Sequence, residues 1–148
     1  MIVLASVPHS GSRFVLKLLP QPVFFRHVYE GESIEQIVAL SRAYPVVVPL
    51  RHPLAVAQSW KDRGKPIASH PKHEPMVAMW RTLIDVVDPL YPRYLPIDVP
   101  DRDAYFAGLE TDWVPVKDSN PHVPLTDEDR AAVSELLADP FFARFGYF

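Results

Sequence analysis

A short apolar segment at residues 45–50, Pro-Val-Val-Val-Pro-Leu, restricts the fold of this chain more than any other stretch. Successive side chains of a β-strand point to opposite faces of the sheet, so a strand that is apolar throughout is buried on both faces. Strands of this kind are typical of parallel sheets that helices cover on both sides. The Ile-Val-Leu-Ala-Ser run at residues 2–6 predicts a second buried strand.

Segments with helical periodicity alternate with strand-like segments along the chain. Helices are predicted at residues 12–19, 53–60, 101–109 and 126–138. Two further helices are predicted to begin at residues 33 and 75. Further strands are predicted at 23–25, 94–99 and 113–116. This alternation predicts an α/β fold with three layers, in which a mainly parallel sheet lies between helices on both faces. Ser33 and Gln36 have the spacing of a capping box, and Thr126 is predicted to cap the last helix with Asp129 at its third position.

The composition limits the classes to which this chain belongs. Its 148 residues are most simply one domain, spanning 1–148, and a hydrophobic content of 48% is enough for a core. An aromatic tail at 141–148 is predicted to close that core. A formal net charge of −3 argues against a broad nucleic-acid surface. The absence of cysteine excludes disulfides, thiolate zinc sites and a cysteine nucleophile.

Two features argue against export and membrane insertion. The first apolar run is only about seven residues long and has no basic region before it, unlike a secretory signal. No apolar stretch approaches the roughly 20 residues of a membrane span. We therefore expect a cytoplasmic protein with neither a membrane nor a nucleic-acid partner.

Polar residues follow both buried strands. The first strand leads into Pro8-His9-Ser10-Gly11-Ser12-Arg13, a Ser/Gly loop that precedes a helical pattern. Such a loop cradles an anion with backbone N–H groups and a helix N-terminus. The second strand leads to Arg51, and Ser59 follows eight residues later. Because ligands of parallel sheets bind at the carboxyl ends of the strands, two anion sites of different design predict a ligand with two separate anionic groups.

The first loop is not a Walker A motif. That motif requires a lysine directly after its second glycine, followed by serine or threonine. Aligning Gly11 with the second glycine places Ser12 at the lysine position and Arg13 at the hydroxyl position. The phosphate-binding lysine and the magnesium-binding hydroxyl are both missing, which disfavours ordinary kinase or NTPase chemistry.

The loop resembles the 5′-phosphosulfate loop of sulfotransferases that use 3′-phosphoadenosine-5′-phosphosulfate (PAPS). It matches the family's Pro-x-Ser-Gly-Thr pattern at Pro8, Ser10 and Gly11, and Ser12 keeps the hydroxyl of the threonine. Arg13 matches the variant found in carbohydrate sulfotransferases. The resemblance implies a sulfotransferase-like, P-loop-related version of the α/β fold.

A second segment carries the same resemblance. The family holds the 3′-phosphate of PAPS with an arginine at a strand end and a serine eight residues later, which is the spacing of Arg51 and Ser59. Its Arg-x-Pro sequence is present as residues 51–53, and the Phe-Gly-Tyr at 145–147 is similar to sulfotransferase C-termini. The clear matches cover residues 2–60.

The resemblance implies the ligands and the residues that bind them. The donor is PAPS, the product is 3′-phosphoadenosine-5′-phosphate (PAP), no metal is required, and the acceptor is a hydroxyl or amine of a small molecule or carbohydrate. The residues that match the family's cofactor contacts are Ser10, Gly11, Ser12, Arg13, Phe14, Arg51 and Ser59.

Three residues are candidates for catalysis. His9 stands where the family has lysine or arginine, and a protonated His9 would donate to the bridging oxygen of PAPS, so that turnover falls as pH rises through its pKa. The family's base is a Glu or His after the first helix, and Glu30 and His27 both fit. Glu30 lies 21 residues past His9, about the family's offset, and is slightly favoured. The alternatives are a surface role for His27 and a helix-start charge for Glu30.

Two other functions remain open on the sequence: a nucleotide-binding module without turnover, and a kinase relative with a degenerate loop. The polar segment at 61–75 carries His70, His73 and Glu74, but we interpret it as a solvated loop or lid and not as a metal site. Arg63 and Lys65 in this segment are further candidates for contact with the 3′-phosphate. Trp60 and Trp80 are predicted to be core residues, with adenine stacking as the alternative.

Overall fold

The computed structural model describes residues 1–98 and 122–148. The helix predicted at 101–109, the strand predicted at 113–116 and the last residue of the strand predicted at 94–99 lie outside the described residues.

Within these ranges, four strands form one sheet in which every pairing is parallel. Its strands are β1 (Ile2–Ser6), β2 (Val23–His27), β3 (Val46–Leu50) and β4 (Arg93–Pro96), in the order β2-β1-β3-β4. The prediction of a parallel α/β sheet is therefore confirmed. The buried strand predicted at 45–50 is also confirmed, because all five residues of β3 are buried.

Helices connect the strands and follow the last of them. They are α1 (Ser12–Leu18), α2 (Glu32–Ser41), α3 (Pro53–Asp62), α4 (Met76–Thr82), α5 (Asp127–Leu137) and α6 (Pro140–Ala143). A π-helical turn at Leu83–Val87 and a 3-10 turn at Asp88–Leu90 continue α4 toward β4. None of the helices in the described part of the chain has the length and apolar character that crossing a lipid bilayer requires.

Alternating strand residues separate the core into two halves, one on each face of the sheet. Val46, Val48 and Leu50 of β3 belong to the larger half, whereas Val47 belongs to the smaller one. The smaller half packs against α1 and contains Leu4, Val15, Val47, Leu95 and Ile97. Residues of α2, α3, α4, α5 and α6 contribute to the larger half. Helices thus cover both faces, as predicted.

The strand order reverses between β1 and β3. From β1 the chain passes to β2 on one side, and from β2 it crosses back to β3 on the other side. In open α/β sheets, ligands bind at such a reversal, in the crevice outside the carboxyl ends of the strands. The loops that follow β1 and β3 begin at this crevice.

The structure differs from the sequence prediction at the end of β2 and at the start of α2. Strand β2 extends through His27, because its pairing with β1 continues to the Ser6–His27 position. The capping box predicted at Ser33 is wrong: α2 begins at Glu32 and Gly31 caps it without a side-chain hydrogen bond. The Ser33 hydroxyl instead donates to the carbonyl of His27, so it is not free to cap the helix.

The aromatic tail closes the core as predicted, except at its end. Phe142 is fully buried with its ring against Trp80, and Phe141 and Tyr147 are also buried. The Tyr147 hydroxyl donates to Asp98 at 2.5 Å. Burial raises the pKa of Tyr147, and this hydrogen bond raises it further. Phe148 is 86% exposed and takes no part in the core.

Asp129 joins α5 to α3. The capping box predicted at Thr126 is confirmed, since the Thr126 hydroxyl accepts from the Asp129 N–H and the Asp129 carboxylate accepts from the Thr126 N–H. The same carboxylate lies 2.9 Å from Nζ of Lys61 near the end of α3. Burial acts to raise the pKa of Asp129, but the hydrogen bonds from Thr126 and Lys61 outweigh it and keep the pKa below its ordinary value.

We expect Asp129→Ala to lower the free energy of unfolding by about 1–2 kcal/mol, because it removes the helix cap and the ion pair together. Urea denaturation measures this. Asp127→Ala is the matched control: Asp127 is exposed in the same helical turn, so only a few tenths of a kcal/mol should be lost.

The same carboxylate makes a pH-dependent contribution. Because its folded pKa is lowered, its stabilisation is present above pH 3.8 and is lost as pH falls through the folded value. Equal losses in the two variants, or an unchanged acid transition in Asp129→Ala, would contradict this role.

Candidate functional site

The β1–α1 loop, residues 7–11, folds through two left-handed backbone conformations. His9 has φ 68° and Gly11 has φ 90°. A Cβ atom at Gly11 would overlap Cδ1 of Ile97, so this position requires glycine for space as well as for conformation. Helix α1 that follows has only seven residues. Anion binding here therefore depends on the loop donors and nearby cations more than on a helix dipole.

Ser10 contributes a buried hydroxyl to this loop. Its side chain is fully buried, yet its hydroxyl has no hydrogen-bond partner among the residues that the structure describes. Buried hydroxyls are normally paired, because leaving one unpaired costs about 1–3 kcal/mol. The Ser12 side chain is also buried. The loop thus fits an anion that accepts hydrogen bonds.

Trp60 of α3 fixes the position of the loop. Its indole N–H donates to the carbonyl of Pro8 at 2.8 Å, and the side chain is buried. The predicted core role of Trp60 is confirmed, and so is that of Trp80, which is fully buried. The loop is therefore held by a helix that begins at the end of the neighbouring strand.

Four cations act on the two histidines at this end of the sheet. We call them the basic cluster: Arg13, Arg51, Arg63 and Lys65. None of them is within ion-pair distance of a carboxylate in the ranges 1–98 and 122–148. Three other basic side chains in these ranges, Lys61, Arg81 and Arg144, do pair with carboxylates. A concentration of unpaired positive charge in a chain of net charge −3 favours an anionic ligand.

His9 belongs to the loop and lies next to Lys65 of the basic cluster. Burial first, and then the charges of Lys65, Arg63, His27 and Arg51, lower the pKa of its imidazole to about 4. Its Nε2 lies 3.1 Å from Nζ of Lys65. An ammonium only donates, so Nε2 accepts and the ring is neutral. The sequence predicted a protonated His9; the difference arises first from the burial of the ring and then from cations that the sequence did not place beside it.

Arg51 reaches the first loop, whereas the Ser59 side chain makes no hydrogen bond to it. The Arg51 guanidinium lies 3.5 Å from the carbonyl of His9, at the long end of hydrogen bonding. Ser59 is half-buried within α3 and makes no side-chain hydrogen bond to another described residue. By helical spacing it shares a face with Arg63, four residues on. The structure therefore brings Arg51 to the β1–α1 loop and shows no hydrogen bond between Ser59 and that loop.

The other two predicted cofactor residues belong to α1. Arg13 is exposed in the first turn, and its charge acts on His27. Phe14 is half-buried and packs against the smaller half of the core. Arg13 thus belongs to the basic cluster, while Phe14 helps to seat the helix on the sheet.

His27 occupies the carboxyl end of β2. Its Nδ1 lies 3.1 Å from the Ser6 hydroxyl, and its ring is flanked edge-on by Phe25 and Tyr29. Burial lowers the pKa of His27; hydrogen bonding to Ser6 opposes this, and the charges of Lys65 and Arg13 add to it. A neutral imidazole beside a basic cluster is a suitable proton acceptor at pH 7.

Glu30 is placed beside a second carboxylate and not beside the basic cluster. Its side chain is exposed, and its backbone N–H donates to the carboxylate of Glu74 at 3.2 Å. Burial raises the pKa of Glu74 and the charge of Glu30 raises it further, although the hydrogen bond from Glu30 lowers it. Of the two candidate bases, His27 is therefore the one within the basic site.

The segment after α3 is a loop, as predicted. His70 and His73 stack with ring centroids 4.7 Å apart, and Nδ1 of His70 accepts from the N–H groups of Lys72 and His73. In the described part of the chain, no three His, Asp or Glu side chains form a group that could hold a metal ion.

The sequence analysis missed two contacts of this segment. Lys65 contacts His9, and Glu74 contacts Glu30. Both join residues that are more than 40 positions apart, and no local pattern signals them.

Comparisons with protein-family models, with curated proteins and with solved structures find no match for this chain. The function must therefore be argued from the site itself.

We expect Gly11→Ala to lower the free energy of unfolding by about 2–4 kcal/mol, because left-handed strain and overlap with Ile97 add. Gly64→Ala is the matched control. Gly64 has φ 68° but open space around its Cα, so we expect only the strain, about 1 kcal/mol.

Urea denaturation of both variants, and of Gly11→Ala combined with Ile97→Val, separates the two effects. The second substitution removes Cδ1 and should reduce the penalty of Gly11→Ala. Equal penalties at both glycines would show that the loop does not press against Ile97.

Proposed function

We propose that this protein is a divergent PAPS-dependent sulfotransferase, which transfers the sulfuryl group of PAPS to a hydroxyl or amine of a small-molecule or carbohydrate acceptor. One observation carries the proposal: at the reversal of a parallel sheet, Arg51 and Lys65 contact a loop whose buried Ser10 hydroxyl has no partner among the described residues. The motif resemblance favours PAPS as the anionic ligand, because the loop and Arg51 match the two anion-binding signatures of that family.

Each anionic group of the donor has its own proposed binding residues. The backbone N–H groups of the β1–α1 loop, with the hydroxyls of Ser10 and Ser12, bind the 5′-phosphosulfate. Arg51 binds the 3′-phosphate through charge-assisted hydrogen bonds, with Ser59 as a further donor. A sulfuryl group carries less negative charge than a phosphoryl group, so fixed protein donors suffice to stabilise the leaving oxygen.

His27 is the proposed base. Its Nε2 takes the proton of the acceptor hydroxyl as the acceptor oxygen forms a bond to sulfur. The bond between sulfur and the bridging oxygen of PAPS breaks, and PAP leaves with that electron pair. His27 is preferred to Glu30 because it lies within reach of the charges of Lys65 and Arg13.

A nucleotide-binding module without turnover is the second candidate. The neutral His9 favours it, since the family's lysine or arginine at that place is a permanent charge. Binding of PAP with no sulfuryl transfer to any acceptor would select this candidate.

Calorimetry with PAP, ADP and AMP tests the nucleotide. We expect PAP to bind at least 10-fold more tightly than ADP or AMP, and Arg51→Ala to remove most of this preference, because only PAP has a 3′-phosphate. Arg42→Ala, at an exposed arginine directly after α2, is the control and should bind PAP as the wild type does. Equal affinity for the three nucleotides would overturn the proposal.

The pH dependence of transfer tests the base. Because the pKa of His27 is lowered, kcat/KM should rise as pH increases through a value below 6.5 and stay level up to pH 8. His27→Ala should lower kcat by about 10²–10⁴-fold, whereas Glu30→Gln should keep it within a few-fold. A rate that falls between pH 6 and 8, or full activity in His27→Ala, would exclude this assignment.

A further inference from the structure

Lys65 lies in the loop after α3, yet its side chain reaches the β1–α1 loop. Its Nζ is 3.1 Å from Nε2 of His9. Among the described residues it has no carboxylate partner, and the residue is exposed to solvent. One of the three ammonium N–H groups is directed to His9, so two remain available to a ligand.

Trp60 holds both partners of this contact. The backbone N–H of Lys65 donates to the carbonyl of Trp60 at 2.9 Å, and the Lys65 ammonium lies 5.6 Å from the centroid of the Trp60 ring. The same indole donates to Pro8, next to His9. The ammonium is therefore positioned relative to the β1–α1 loop by one buried residue, which reduces the entropy lost when it binds an anion.

We propose that the ammonium of Lys65 is the cation that binds the sulfuryl end of PAPS, and that His9 is a positioning residue whose ring nitrogen holds it there. This inference rests on the proposed function. It assigns to a distant lysine the positive charge that the family carries at the position of His9.

The direction of the hydrogen bond between Lys65 and His9 supports Lys65 as the cation and His9 as the positioning residue. Nε2 of His9 must accept, so its proton is on Nδ1 and the imidazole brings no positive charge of its own. Lys65 is the only member of the basic cluster with a described hydrogen bond to the His9 ring. Arg51 contacts the His9 carbonyl instead, which suits a separate anionic group.

Calorimetry with PAPS and PAP on matched variants tests the cation. Lys65→Ala should weaken PAPS about 10–100-fold, the range expected when a charge-assisted hydrogen bond is lost, and should weaken PAP much less because PAP lacks the sulfuryl group. Lys72→Ala, at an exposed lysine of the same loop, should bind both ligands as the wild type does. Arg51→Ala should weaken both ligands alike.

Two further measurements test the positioning role. NMR titration should show a lower pKa for His9 in the wild type than in Lys65→Ala, where burial and the remaining charges still keep it below 6.5. His9→Gln, whose amide oxygen can accept from Lys65, should bind PAPS more tightly than His9→Ala. The loss caused by His9→Ala should vanish in the Lys65→Ala background, since the two residues act as one unit.

The outcomes separate this inference from the proposed function. If PAP and PAPS bind through Arg51 but Lys65→Ala matches the wild type, the inference is overturned and the proposed function stands. Equal weakening of PAPS and PAP by Lys65→Ala would overturn the assignment to the sulfuryl end. If neither nucleotide binds, the proposed function fails. The anion site at Lys65 would still be supported if pyrophosphate shifted the NMR signals of the His9 ring in the wild type but not in Lys65→Ala.

Discussion

The hydrogen bond from the Trp60 indole to the Pro8 carbonyl is the interaction on which the candidate site depends. It is buried and joins α3 to the loop after β1, so the ends of two neighbouring strands are fixed to each other. The Trp60 carbonyl also accepts a hydrogen bond from the backbone N–H of Lys65, and the Trp60 ring packs edge-on against His9. Lys61, one residue further on, ties the helix to α5 through Asp129. The position of the loop is thus set by the packing of the domain and not by the loop sequence alone.

Local and periodic features of the sequence predicted most of the fold. The apolar runs identified β1 and β3 as buried strands, and Pro53 marked the first residue of α3, because these signals depend on neighbouring residues only. The prediction failed at Ser33, whose hydroxyl donates to the carbonyl of His27 and does not cap α2. The partner of this hydroxyl depends on how the end of β2 packs against α2, and no local sequence pattern predicts that packing.

The candidate site was predictable in its position but not in its charges. Order along the chain and the parallel arrangement were enough to place Arg51 near the loop that contains His9. The protonation state of His9 was not predictable, because it depends on the burial of the ring and on Lys65, which is 56 residues away. The choice between His27 and Glu30 likewise required the extra length of β2, which carries His27 to the strand end. Contacts between residues far apart in the sequence therefore determine the protonation of His9 and the choice of base, which the motifs alone leave open.

Within residues 1–98 and 122–148 the basic cluster has no acidic partner, and this has a consequence for the free protein. Like charges held close together repel one another, so part of the folding free energy is spent on keeping these four side chains at one end of the sheet. Any multivalent anion that occupies the crevice relieves this repulsion and stabilises the folded chain by mass action. Dissolved salt screens the same repulsion over a Debye length of about 8–10 Å. The ionic composition of the solution thereby becomes a determinant of how stable the unliganded domain is.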